Sequence, residues 1–261
     1  MSFKISKHLG LNLNITIYTC ITSAYDAPLP MGLFSDCVGS CIMFTDDATI
    51  DAPGWEVKAL ASPSSITSPN FINRYHKFFP HRVLGNVDIS IYIDGNMKII
   101  KDIGPLVDSF VASGKEIGVF SHPQRSNIVE EACACIDLNK FSDEDSVSVV
   151  EQLENYARDG YKLSSQLYAA GVLFRRHRNK DFLDQTMSLW WEQINNYCSR
   201  DQISLPYVLW KSSAPHEVYN IDIFNNPYIQ LLAHNARKLS AKKYAIAKLK
   251  SYLNKFCKTN G

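Results

Sequence analysis

The chain has 261 residues and a mass of 29.5 kDa, with 46% hydrophobic and 20% charged residues, which excludes a disordered chain and gives enough core to fold without disulfides. Lys and Arg number 27 against 26 Asp and Glu, a formal charge of +1, so no global field attracts nucleic acid. Seven cysteines with no CxxC pair argue against a disulfide framework and a zinc ribbon.

The first residues carry lysines without a long apolar run or a small-residue cleavage site, unlike a signal peptide, and no stretch has the length of a membrane span. A reducing, cytoplasmic setting is expected. In chain order, residues 12–20 (NLNITIYTC) predict a β-branched strand running into a polar loop, Thr22 to Asp26. A second strand, Cys41 to Thr45, ends in Asp46-Asp47, which suit ribose hydroxyls or an ordinary turn equally well. Asn73 to Arg82 (NRYHKFFPHR) sets Arg74, His76, Lys77, His81 and Arg82 among aromatics, either as a cationic wall for phosphate or as a solvated loop. A third strand, Val87 to Ile93, closes in Asp94-Gly95-Asn96. That turn sequence also offers two oxygen-bearing side chains, one residue apart, to a hard cation. Polar residues after buried strands are where open α/β sheets place ligands.

Gly104 to Ala112 predicts a helix stopped by Gly114, and Glu116 to Ser121 a strand leading to His122 and Arg125. Cys133 and Cys135 fall in a helical stretch on different faces and read as core thiols. Ser142 to Gly160 predicts a capped helix, Gly171 to Arg175 a late strand, and Phe182 to Cys198 a helix carrying Trp190 and Trp191. Asp201, ahead of the apolar run Ile203 to Trp210, suits a helix cap, a catalytic carboxylate or a sugar-hydroxyl acceptor, and His177 suits a structural role or a metal contact. From Arg237 to Lys258 basic residues alternate with apolar ones and no acid, predicting an amphipathic helix that packs on the domain or meets an anionic membrane surface. One α/β domain over residues 1–212 with a helical extension over 213–261 is the economical organisation.

The ordered segments IYTCITSAYD (Ile17 to Asp26), CIMFTDD (Cys41 to Asp47), KFFPHR (Lys77 to Arg82) and DISIYIDGN (Asp88 to Asn96) are joined by FSHPQR and EEA (Phe120 to Ala132), GVLFRRH (Gly171 to His177) and RDQISLPYVLW (Arg200 to Trp210). Together they resemble the glycosyltransferase-like family that contains the plant TOD and MUCI proteins. The resemblance implies a GT-A-like, Rossmann-type α/β domain with a mixed central sheet. It implies a hexosyltransferase-like enzyme moving a sugar from a nucleotide-diphosphate donor, UDP-linked, to a glycan or lipid-linked saccharide in bacterial surface polysaccharide synthesis. Its setting would be cytoplasmic, peripheral at the inner face of the membrane.

Carried over residue by residue, the resemblance places Thr19, Tyr25, Asp26, Asp47, Arg74, Lys77, His81, Asp94 and Gly95 around the donor nucleotide. Mn2+ or Mg2+ would sit on Asp94, Asn96 and His177, with Asn96 replacing the second carboxylate of a DxD motif. His122, Arg125, Glu131, Asp201 and Gln202 would face the sugar and acceptor, Asp201 being the first candidate for a base. The alternatives are a non-catalytic sugar-nucleotide or glycan-binding module and a hydrolase on the same fold.

Overall fold

The computed structural model describes residues 13–32 and 38–234. The predicted basic helix, Cys37 and Cys257 lie outside the described residues. The central sheet has seven strands in the order β3-β2-β1-β4-β7-β6-β8. These are β1 (Ile15–Ile21), β2 (Ser40–Thr45), β3 (Glu56–Ala59), β4 (Ile89–Ile93), β6 (Ile117–Ser121), β7 (Tyr168–Arg176) and β8 (His216–Tyr219). Strand β7 runs antiparallel between β4 and β6, and the other pairings are parallel, so the sheet is mixed as expected.

Every residue of β1 and β4 is buried, because both faces of the sheet centre are covered and these strands are mostly Ile, Tyr and Thr, with Cys20 and Ser90. On one face Tyr18, Tyr92 and Leu173 join Phe78, Trp190 and Tyr156 in the larger core. Helices α1 (Pro69–Phe78), α2 (Pro80–Val83), α4 (Ile128–Asp137), α5 (Asp143–Arg158), α6 (Lys180–Asn196) and α7 (Asp201–Lys211) supply that layer, with Trp190 stacked on Phe78 at 3.9 Å between ring centroids. On the other face α3 (Gly104–Ser113) packs Leu106 and Phe110 against Ile91, Phe120 and Phe174.

Local chemistry sets the helix ends. Ser142 accepts the N–H of Asp145 at the start of α5, Asn127 accepts those of Val129 and Glu130 at the start of α4, and α3 ends at Gly114 with φ +66. The segment Asn73 to Arg82 is helical, forming most of α1 and the start of α2, so the solvated-loop alternative does not hold. Cys135 is buried and Cys133 exposed, so only one of the pair is a core thiol.

The proposed division at residue 212 is corrected by the sheets. β8 pairs with β6 in the main sheet, and β9 (Ile229–Leu231) pairs with β5 (Met97–Ile99) next to the Asp94 turn. Residues 216–231 complete the domain and are not a helical extension. Among the described residues, no helix is long and apolar enough to cross a membrane.

Candidate functional site

The chain passes from β1 outward to β2 and β3, then returns to the other side of β1 as β4. The carboxyl ends of β1 and β4 are therefore a switch point, where the connections diverge and leave a crevice. A cleft of about 560 Å3 opens there. Its floor is Cys20 to Ser23, Tyr92 and Asp94 to Asn96, and its walls carry Tyr25, Asp26, the first turn of α1, Arg74, Arg200 and His234. Helix α1 presents Pro69 and Asn70 to the cleft and has no acid in its first turn, so its positive end faces the cavity.

A buried charge cluster lies against the floor. Lys77, with a side chain only 2% exposed, donates from Nζ to Asp201 Oδ2 at 2.6 Å and reaches Asp94 Oδ1 at 3.5 Å. Its ammonium also lies 5.1 Å from the Tyr92 ring centroid. Arg74 Nε is 3.5 Å from the same Asp201 oxygen, and Asn73 steadies Arg74 by accepting from Nη1 while donating to the Cys20 carbonyl. Burial pushes the Asp201 carboxyl up, but Arg74, Lys77 and Arg200 outweigh it and hold the group far below the usual carboxylate range. Such a carboxylate is a poor proton acceptor. Asp201 is the buried counter-ion of Lys77 and Arg74, and it does not cap α7, whose N-cap is Arg200.

Arg200 is fixed from behind. Its Nε and Nη2 donate to Glu131 Oε1 at 3.1 and 3.0 Å, and Arg125 Nε donates to the other oxygen of the fully buried Glu131. Glu131 therefore carries two guanidinium groups, one of which lines the cleft. His122 accepts the backbone N–H of Gln124 and Arg125 through Nδ1 and meets Arg125 Nη2 at 3.0 Å. Burial and the Arg125 charge push the His122 imidazole down to about 4, so it is neutral at pH 7.

The mouth is built from distant parts of the chain. Asn96 donates its Nδ2 to the Leu232 carbonyl and accepts the Leu232 N–H on its own carbonyl, at 2.9 and 2.8 Å. That seam brings His234 to Asp26, with Nδ1 at 3.0 and 3.2 Å from the two carboxylate oxygens, and the Tyr25 ring lies 5.0 Å from the imidazole. The Asp26 bond raises the His234 pKa above the ordinary value, against burial. Gly95 sits where a Cβ would meet Ile21 Cγ1 at 3.0 Å and Asp26 Oδ2 at 3.3 Å, so glycine lets the two strand ends close up.

A family model of the TOD1/MUCI70 glycosyltransferase-like domain matches residues 64–238, from ahead of α1 to just past His234. The chain belongs to this family. It is 23% identical over 253 residues to alkaline ceramidase TOD1 of Arabidopsis thaliana, covering 92% of this chain and 53% of that protein. It is 24% identical over 147 residues to the probable hexosyltransferase MUCI70 of the same plant, covering 53% of this chain and 24% of that protein. The chain thus spans about half the length of one relative and a quarter of the other.

In this member of the TOD1/MUCI70 family the cleft brings together Tyr25 and Asp26, ahead of the matched segment, with Arg74, Asp94, Gly95 and Asn96 inside it, and Lys77 and Asp201 are bonded against its floor. Others lie elsewhere. Thr19 is buried with an unpartnered hydroxyl outside the cleft lining. Asp47 is turned back to accept the N–H and hydroxyl of Thr49, while its neighbour Asp46 accepts the Ser23 N–H at the cleft wall. His81 bonds Asp184 at 2.7 Å beneath α6. His122 and Arg125 line a separate hollow, joined to the cleft only through Glu131 and Arg200. Gln202 is buried and its Nε2 has no partner.

His177 cannot share an ion with Asp94. It follows the carboxyl end of β7, which runs antiparallel to β4, so it lies beside Asp88 at the end of β4 remote from Asp94. There it bonds Ser90 Oγ at 2.9 Å, and burial pushes its imidazole down to about 3. Among the described residues no three His, Cys, Asp or Glu side chains form a metal cluster. The remaining donors, the Asp94 carboxylate and the Asn96 amide oxygen, suit a hard cation that takes its other ligands from water and substrate phosphate. Arg200 and His234 are functional candidates that residue patterns alone do not single out. Arg200 stands beside Asp201 in RDQ, whereas His234 has no local signal.

Proposed function

We propose that the cleft binds a nucleoside-diphosphate sugar, UDP-linked, and that the domain transfers its hexosyl group to a glycan or lipid-linked saccharide. The observation that carries this reading is the positive lining at the switch point. Arg74, Arg200 and the positive end of α1 face the cavity, and Lys77, paired with Asp201, lies behind its floor. A diphosphate leaving group needs this pre-set positive field, aimed where negative charge builds as the glycosidic bond breaks. Tyr25, 58% exposed at the mouth, offers a ring face for a base.

Mg2+ or Mn2+ held by Asp94 and the Asn96 amide oxygen would neutralise charge on the diphosphate. Lys77 would hold Asp94 in place and add its own charge, Arg74 would bond a phosphate oxygen, and Arg200 would face the sugar side. The acceptor hydroxyl needs a base other than Asp201. Asp26 is the carboxylate at the mouth, with His234 as its partner.

The test is nucleotide release from a panel of sugar nucleotides, with and without glycan acceptors, beside ceramide hydrolysis under the same conditions. Nucleoside diphosphate should be released from one donor, and Lys77→Met should weaken binding of the diphosphate at least tenfold without affecting the nucleoside. Ceramide cleavage with no nucleotide bound would overturn the transferase reading.

A further inference from the structure

Arg175 is the most heavily buried cation of the described residues, with 0% exposure, and it points from β7 into the larger core beside Tyr18 and Ser90. One nitrogen is used: Nη1 donates to the Tyr18 hydroxyl at 3.1 Å, and Tyr18 in turn donates to the Lys77 carbonyl at 3.1 Å. Its Nε and Nη2, the parallel pair with which a guanidinium grips an anion, have no partner. Among the described residues no carboxylate pairs with Arg175.

The surroundings add no unpaired carboxylate. Burial pushes the Tyr18 phenol far above its ordinary pKa, so it stays neutral. His177, bonded through Nε2 to Ser90, has a buried Nδ1 without a partner, and so has His81, bonded through Nε2 to Asp184. Asp184 is already held by His81 and Arg82. Ser90, to which His177 bonds, is the register partner of Arg175 across β4 and β7, so His177 lies beside the guanidinium. A guanidinium does not deprotonate, so burial without a counter-charge is costly. Water would satisfy the N–H groups and leave the charge uncompensated.

We infer that the Arg175 fork, with His177 Nδ1 beside it, binds a small inorganic monovalent anion of the chloride class inside the domain. The site is separate from the cleft, whose lining includes none of these residues. A small ion is required, since Arg175, Ser90 and His177 are 0%, 0% and 3% exposed and leave no room for a phosphate ester.

The experiment is equilibrium unfolding of the full chain in sodium chloride, bromide or nitrate against sodium gluconate at fixed ionic strength. A ligand bound only by the folded state adds stability as RT ln(1 + [L]/Kd). The expected result is a saturable rise in unfolding midpoint with each small anion and none with gluconate, and loss of the difference in Arg175→Met. A midpoint equal in chloride and gluconate would overturn the site, as would an unchanged chloride effect in Arg175→Met. If that variant does not fold, crystals of the wild-type chain grown in bromide decide. An anomalous peak at the Nε–Nη2 fork supports the inference, and water alone there refutes it.

Discussion

Replacing Asp201 with Asn separates an ion-pair role from a catalytic one. Asp201 and Lys77 have side chains 4% and 2% exposed, and removing the carboxylate leaves a buried ammonium and Arg74 without their main partner. Breaking a buried pair from one side costs about 3–5 kcal/mol. Lys77 retains Asp94 at 3.5 Å and the Tyr92 ring at 5.1 Å, so the lower end, about 3 kcal/mol, is expected. At ~2–4 °C per kcal/mol for a domain of this size, the melting temperature should fall by about 6–12 °C. Urea unfolding of wild type, Asp201→Asn, Lys77→Met and the double variant closes a cycle in which the double change costs less than the sum. The sign with pH follows from the depressed carboxyl: its stabilisation is present above the unfolded value of about 3.9 and is lost as pH falls below it. The wild-type midpoint should therefore drop more steeply than that of Asp201→Asn below about pH 4. An unchanged midpoint in Asp201→Asn, with turnover reduced about a thousandfold, would refute the positioning role and restore Asp201 as the base.

Glu131→Gln should destabilise by about 3–5 kcal/mol in urea titration, because Arg125 and Arg200 both lose their buried counter-charge, and a loss below 1 kcal/mol would contradict that. Gly171→Ala should weaken diphosphate binding and cost about 1–3 kcal/mol of stability, since its Cβ would lie 2.4 Å from Met97 Cε and 3.1 Å from Asp94 Oδ2; calorimetric titration reads the first effect. NMR titration should place His234 above about 6.5, so the Asp26 contact is at full strength below that pH and decays as pH rises through the measured value; a midpoint at or below 6.5 would remove the contact. His122 and His177 are buried neutral, so stability should fall as pH drops from about 6.5 towards 4, and His177→Gln should flatten that slope in acid unfolding.

Much of the fold is legible in local pattern. β1 and β4 are short β-branched runs closed by polar turns, and the caps at Ser142 and Gly114 lie where side-chain chemistry requires them. Four strands are not legible. β3 is mostly exposed and four residues long, β5 and β9 have three residues each, and β8 is amphipathic and half-buried, so none carries enough periodicity to stand out. The segment Asn73 to Arg82 misleads for a different reason. Its cations look solvated until Asp201, 124 positions away, and Asp184 arrive to bury Lys77 and engage His81. Ordered motifs place Asp94, Asn96, Arg74 and Lys77 in one neighbourhood, but only the antiparallel course of β7 reveals that His177 leaves from the far end. Asp201 illustrates the limit best: residue type suggests a base, and two of the three cations that surround it, Arg74 and Lys77, come from a part of the chain that residue type does not connect to it.

The seam between Asn96 and Leu232 joins segments 136 positions apart, and the Asp26–His234 contact spans 208. During synthesis β1, β4 and the charged floor can assemble long before the residues that finish the rim leave the ribosome. The edge strand β8 and the β5–β9 pair also wait for this last portion of the domain. A chain ending near residue 212 would therefore carry the Lys77–Asp201 pair under an open rim, with the edge of β6 exposed to pairing by other chains. Closure of the rim is thus a late event in the life of each molecule, set by translation of residues 229–234.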